Sequence, residues 1–463
     1  MRRIAWGLLL LPAVLPAWSA RAGDLPAGKA RPASFLALCA PAAADDSDDD
    51  DSDDDSDSGP SAAKASGKGS ASASGKGSGK GAKSTKSLDR SNYFRVPGWD
   101  SCLAIGGEIE VDGQVNQAYS RRTNALSSSV IGRIAIDSLT TTEFGDLRAF
   151  VRLPVTYSSG LTTLQGPSTS VDVDYAFITW NTLTFGYADS VFNFYNNALN
   201  IGTLRGPALS ATIARYKTTF GNGFTFSVSM EMGATEKPTG IPDPGNSIVL
   251  DAIPQPAGTI WPDPVTALQL DRDWGSAIVA GALHQVRSPL GAGGGAWGGA
   301  AMVGLNLNTP WTGDDDEIWL QGVGAWGAST YLGFGRAALI GNLGFAVADS
   351  VTTIGGRLIP SRGAAITGGW SHDLNDTWNV SLFSSWATFD PRADLPARPF
   401  VRKFNELRIG SDLTFAPFDD FSITGEVMWG RISSSVPTPA LDGLKLETSS
   451  NAWQGTVQLL RTF

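Results

Sequence analysis

From residue 89 to its end, this chain alternates apolar and polar side chains with a period of two, in segments of about ten residues parted by clusters of Gly, Asn, Asp and Pro. In the first segment Leu103, Ile105, Ile109, Val111 and Val115 share one face, and Glu108, Glu110, Asp112, Gln114 and Asn116 share the other. Further on, Leu147, Val151, Leu153, Val155 and Tyr157 stand against Asp146, Arg148, Arg152 and Thr156. Leu407, Ile409 and Leu413 oppose Glu406, Arg408 and Asp412, while Ile423, Val427 and Trp429 oppose Ser422, Thr424 and Glu426. Successive side chains of a strand point to opposite faces, so these segments predict strands whose two faces meet different surroundings. Links such as Gly221-Asn222-Gly223, Asn375-Asp376 and Asp419-Asp420 are short enough to join neighbours as antiparallel hairpins.

A soluble sandwich alternates too, with its apolar face inward. Here the polar faces carry Arg and carboxylates strand after strand, while the opposite faces are aliphatic. Trp180, Trp378, Trp386, Trp429 and Trp453 lie towards segment ends, as girdles at a membrane interface would. About sixteen or seventeen such segments are present, each of the length a tilted strand needs to cross hydrocarbon. A sheet in lipid must close on itself, because an open edge leaves backbone donors without partners. A closed sheet of this size encloses water rather than a packed core.

Export fits that picture. Ile4 to Trp18 is apolar, follows Arg2 and Arg3, and ends near Ala20-Arg21-Ala22, which reads as a secretory signal over residues 1–22. No later window offers about 18 uninterrupted apolar residues, so helical spans are not expected. The fold predicted is therefore all-β: a transmembrane antiparallel β-barrel over residues 89–463, in the outer membrane of a Gram-negative cell and in contact with its lipid.

Residues 23–88 are of another kind. Asp45 to Asp57 holds ten Asp among Ser, equal to the whole net charge of −10, and Lys64 to Lys86 adds six Lys spaced by Gly, Ser and Ala. Neither run holds an aromatic residue or an apolar period, so neither offsets the entropy of ordering, and a solvated linker is expected. A calcium loop aligned on Gly59 would put Ala65 where a bidentate Glu belongs. The Lys run could touch an anionic cell-wall polymer. The acidic overall balance argues against nucleic acid.

The run Phe94-Arg95-Val96-Pro97-Gly98-Trp99-Asp100-Ser101-Cys102-Leu103-Ala104-Ile105-Gly106-Gly107 resembles the entry to the first strand of the alphaproteobacterial outer-membrane porins. Asp174 to Trp180, Leu183 to Ser190, and Phe192-Asn193-Phe194-Tyr195 resemble that family's strand, hairpin and following loop. The closing Trp453 to Val457, with Leu459, Arg461 and Phe463, resembles its last strand. The resemblance implies about sixteen strands, assembly as a homotrimer, and a general diffusion pore for small hydrophilic solutes and ions. In that family a second Cys precedes the proline-glycine motif, and Cys39 is the candidate partner of Cys102; two Cys can pair in an oxidising compartment.

On the same resemblance, Ser190 to Gly206 is an inward-folded constriction loop. Asp189, Asn193, Asn196, Asn197 and Asn200 are expected to face the channel, and Phe192, Phe194 and Tyr195 to pack on the wall. The facing wall would carry Arg133, Arg148 and Arg152, with Arg215 and Arg408, among Glu108, Glu110 and Asp112. Opposite charges across a narrow polar gap favour polar solutes, and with a single acid at the loop only weak ion selectivity is expected.

Other motifs lead nowhere. Gly293-Gly294-Gly295-Ala296-Trp297-Gly298 has dinucleotide-loop spacing, but the residues after it alternate as a strand instead of opening a helix. His284 and His372 sit on separate strands with no nucleophile motif, and two Cys with two scattered His make no zinc set. No cofactor, metal or enzymatic activity is expected. A substrate-specific channel is the alternative, and a barrel enzyme using His372 a more remote one.

Overall fold

The computed structural model describes residues 93–95, 98, 101–118, 124–160, 167–195, 200–232, 260–287, 295–313, 315–352, 358–392, 399–441 and 445–463. Cys39, the charged runs and the export signal expected from the sequence lie outside these residues.

Among the described residues, sixteen strands make one closed antiparallel sheet. They are β1 Cys102–Asn116, β2 Leu126–Thr142, β3 Gly145–Ser159, β4 Tyr175–Trp180 with its broken lead-in Ser168–Val171, β5 Leu183–Asp189 and β6 Ser210–Phe220. There follow β7 Phe224–Met232, β8 Asp263–Arg272, β9 Gly275–Val286, β10 Ala296–Asn308 and β11 Glu317–Trp326. The last are β12 Arg362–Asn375, β13 Trp378–Asp390, β14 Phe404–Phe418, β15 Phe421–Pro439 and β16 Leu446–Thr462. Each pairs with its neighbour in sequence, and β16 pairs back on β1, Asp112 opposite Gln458, so no edge is left open. Phe463 completes the seam by exchanging backbone hydrogen bonds with Gly107 at 2.9 and 3.0 Å. Phe94–Arg95 adds a short pairing on β1.

Tight turns such as Phe220 to Phe224 and Asn375 to Trp378 gather at one rim, where β1 begins and β16 ends. Long connections gather at the other, as in outer-membrane barrels. The period-two pattern resolves as expected: Ile105, Ile109, Ile134, Val279, Val303 and Val427 point outward, each at least half exposed, while Asp112, Arg133 and Glu426 point inward. An aliphatic exterior of this extent is stable only against lipid. Trp180 and Trp378 sit at the short-turn rim. Trp386, Trp429 and Trp453 lie eight or nine residues further along their strands. At about 3.3 Å per residue and a tilt near 40°, that separates two aromatic girdles by about 20–25 Å, the height of a hydrocarbon band. Arg461 shares the outward face of β16, half exposed, and is paired with Asp420 at the rim.

Among the described residues, two long connections fold inward. One lies between β5 and β6, described at residues 190–195 and 200–209. The other lies between β11 and β12, described at residues 327–352 and 358–361; from Ser329 to Arg362 the sequence alternates poorly and leaves the strand count open. It holds a 3-10 turn, Ser329–Leu332, and two small hairpins, Ala337–Ile340 with Leu343–Ala346 and Ser350–Thr352 with Leu358–Pro360. None of these pieces joins the barrel sheet. The first hairpin is buried on both faces, so its residues have no reason to alternate.

Candidate functional site

The loop between β5 and β6 leaves the wall at Asp189, whose carboxylate accepts the Tyr175 hydroxyl at 2.8 Å and that of Ser210 at 3.4 Å. Asn193 then ties the two limbs of the loop. Its amide donates to Leu209 O at 2.6 Å and its oxygen accepts from Leu209 N at 2.9 Å. Phe192 packs edge-on against Tyr331, Tyr195 against Trp319, and Phe194 lies over Gly304 of β10. These rings settle on inward faces that are themselves apolar, among them Val265, Ile278 and Met302.

Past that aromatic footing the loop is held by charge. The buried Glu231 carboxylate accepts from Val191 N at 3.0 Å, and Gln321 accepts from Tyr195 N at 3.2 Å. Glu426, on the far wall, accepts from Ile201 N and Gly202 N at 2.5 and 2.9 Å. Arg205, 1% exposed, donates twice to Glu406 at 2.7 and 3.0 Å and once to Gly333 O at 2.6 Å, with its guanidinium 4.3 Å above the Phe334 ring. Arg408 donates to the same Glu406 at 2.6 Å and to Thr203 O at 2.6 Å. Starting from β5, the loop therefore engages β7, β11, β14 and β15, crossing the barrel interior.

Facing it, β1 to β4 present a ladder of paired charges. Arg133 bridges Glu108 and Glu110, the latter at 2.7 Å, and approaches Asp174 at 3.4 Å. Arg148 grips Asp137 through three contacts of 2.6–3.0 Å and lies 5.2 Å from the Phe150 centroid. Arg152 pairs with Asp174 at 3.2 Å and stacks 4.5 Å from the Tyr175 centroid. Asp112 accepts from Ser129 at 3.0 Å, and Arg215 donates to Thr184 at 3.3 Å. Tyr93, ahead of the barrel, is buried here; burial and then its hydrogen bond to Asp137 push its phenol up.

The structure thus gathers Glu108, Glu110, Arg133, Arg148 and Arg152 on one stretch of inner wall. Arg408 points inward as well, but beneath the loop, 0% exposed, because Glu406 and Thr203 hold it there. Asn200 is likewise buried, accepting from Tyr195 Oη at 2.7 Å and donating to Gly202 O. Asn196, Asn197 and Cys39 lie outside the described residues; Cys102 opens β1. The sequence pattern gives Asp137 the inward parity of Arg133 but no mark of its ion pair, and Asp174 lies ahead of its strand. Arg205 carries no such signal, since it lies in a loop without period. Of the histidines, His372 stacks on Trp370 at 5.2 Å and meets Asp316 at 2.6 Å. His284 lies between Asp263 at 2.9 Å and Asp349 at 3.5 Å.

Comparison with known proteins gives the same frame. The chain is 23% identical to porin Omp2b of Brucella neotomae over 258 residues, which are 53% of this chain and 65% of that protein. It is also 23% identical to Omp2b of Brucella suis biovar 1 over 244 residues, 50% of this chain and 61% of that one. The matched stretches thus span less than two thirds of these curated relatives. Among solved structures, the outer membrane channel DcaP of Acinetobacter baumannii superposes with a TM-score of 0.58 at 16% identity, over 78% of this chain and 97% of that one, a likeness of fold. A barrel with a lipid-facing exterior of this kind belongs in the outer membrane of a Gram-negative cell. The family model of the porin subfamily matches residues 90–455, well over half of the sequence, and the chain belongs to that family.

Proposed function

We propose that the protein forms a water-filled channel for passive diffusion of small hydrophilic solutes and ions across the outer membrane, with the loop of residues 190–209 as its constriction. The observation that carries this reading is the loop's path: rooted in β5 and anchored on β14 and β15 by Glu406 and Glu426, it stands inside the barrel opposite the charged ladder of β1 to β4. Ions meeting that ladder encounter charges already paired, so discrimination between signs is weak. Glu108, Glu110, Asp112, Asp137 and Asp174 set against Arg133, Arg148 and Arg152 tilt the small preference towards cations.

Liposomes carrying the purified protein test this through swelling rates in sugars of increasing size. Rates falling smoothly with solute size support a diffusion pore, saturation by one solute class points to a specific channel, and no swelling refutes both. Assembly as a homotrimer is part of the proposal. It is supported by Gly113, Gly132, Gly425 and Gly455, a smooth outward patch around the seam where another barrel could approach closely. A Cys39–Cys102 disulfide would fix the base of the linker at the short-turn rim, and removal of residues 1–22 on export completes the mature chain.

A further inference from the structure

An aqueous lumen calls for polar inner walls, yet towards the long-loop rim β12 to β16 turn apolar faces inward. Ala387, Phe389, Phe404, Ile432 and Ala452 are all buried there. What covers them is the connection after β11. Phe345 stacks on Phe404 with centroids 5.0 Å apart and rings 11° from parallel, and Phe334 meets Phe404 and Phe389 edge-on at 5.5 and 6.0 Å. Leu332, Ile340 and Leu343 join the same cluster, each at most 1% exposed. Wall and segment bury each other as the two halves of a soluble core would.

The segment is also pinned. Gly333, at φ +77°, brings its backbone against that of Gly206, an approach no side chain would tolerate, and Arg205 donates to its carbonyl. At the hairpin tip, Asn342 N donates to Ser450 Oγ at 3.0 Å and Leu441 N to Asn342 O at 2.8 Å. On the opposite wall Tyr331 Oη donates to Asp263 at 3.0 Å, and His284 sits between Asp263 and Asp349. Asp349 in turn accepts from Ser329 N and Oγ at 2.6 and 2.8 Å. The segment spans the lumen from β8 and β9 to β15 and β16.

We propose that residues 327–352 form a second constriction element, which closes the β12–β16 sector of the lumen and confines solutes to the sector lined by β1 to β6. The inference rests on the channel reading. The size limit of the pore is then set by two inserted segments joined at Gly206 and Gly333, rather than by the β5–β6 loop alone.

Excision tests it. Val347 N donates to Arg336 O at 2.9 Å, so residues 337–346 can be replaced by a Gly-Asn turn with the flanking backbone already in register. The expected result, in planar bilayers and liposome swelling, is a conductance at least about twofold higher and entry of larger sugars. A heat-modifiable variant with wild-type conductance and size limit overturns the second element and leaves the channel reading in place. Silence of wild type and variant alike overturns both. Should the excised chain fail to form a barrel, full-length His284→Ala decides. Release of Asp349 is expected to add a second, larger conductance level, and traces with the wild-type level alone overturn the proposal.

Discussion

Glu406 is shared by two guanidinium groups, Arg205 of the loop and Arg408 beneath it, and all three side chains are fully or almost fully buried. Breaking such a cluster by removing its single acid leaves uncompensated buried charge, typically about 3–5 kcal/mol. Glu406→Gln is therefore expected to lower the temperature at which the barrel unfolds on a semi-native gel and to make the open channel noisy; a gel and trace like wild type would count against the anchoring role. Arg133→Ala acts on the facing wall. It leaves Glu108 and Glu110 without their shared cation, and the cation preference should rise about two- to threefold as read from the reversal potential in a salt gradient. Asp349 gives a prediction in pH. Burial alone would raise its carboxyl, but His284 and the Ser329 N–H and hydroxyl hold it below the ordinary range. Because its folded value is depressed, its contribution is complete above the ordinary carboxylate value and fades only as pH falls through the lowered one. The larger conductance level that release of Asp349 opens should hence stay absent from neutral pH down to about pH 4, the ordinary Asp range. Appearance of that level near pH 6 would contradict it.

Elements differ in how plainly the sequence announces them. A strand between lipid and lumen must alternate, and Leu103 to Asn116 or Phe404 to Phe418 show it at once. Ala337–Ile340 and Leu343–Ala346 are buried on both faces inside the barrel, where alternation has no cause, so their sequence reads as an irregular stretch. The β5–β6 loop is legible as an inward loop only through its likeness to a family. Its aromatic residues are visible, but their seats are not. Gly304 is such a seat, since a Cβ at that position would run into the Phe194 ring. Gly304→Leu should displace the loop at an overpacking cost of about 1–3 kcal/mol and shift the single-channel conductance, whereas an unchanged conductance would show that Phe194 does not set the loop's position. Asn200 and Arg408 mark the same limit at side-chain level: parity places Arg408 inside and the family likeness places Asn200 there, but only the folded loop decides that they are covered.

For the whole molecule, the closing strand and the apolar exterior fix the environment, and the inserted segments fix what remains open within. Phe463 ends the chain by pairing with Gly107 across the seam, so deletion of that residue alone should reduce the yield of heat-modifiable barrel far more than Phe463→Tyr. In the proposed function the lumen, narrowed by loop 190–209, still conducts. Single-channel recording of the purified protein in a planar bilayer under a salt gradient tests it directly. Discrete open steps with a small, cation-directed reversal potential are the predicted result. A correctly folded, heat-modifiable barrel that passes no current would contradict it.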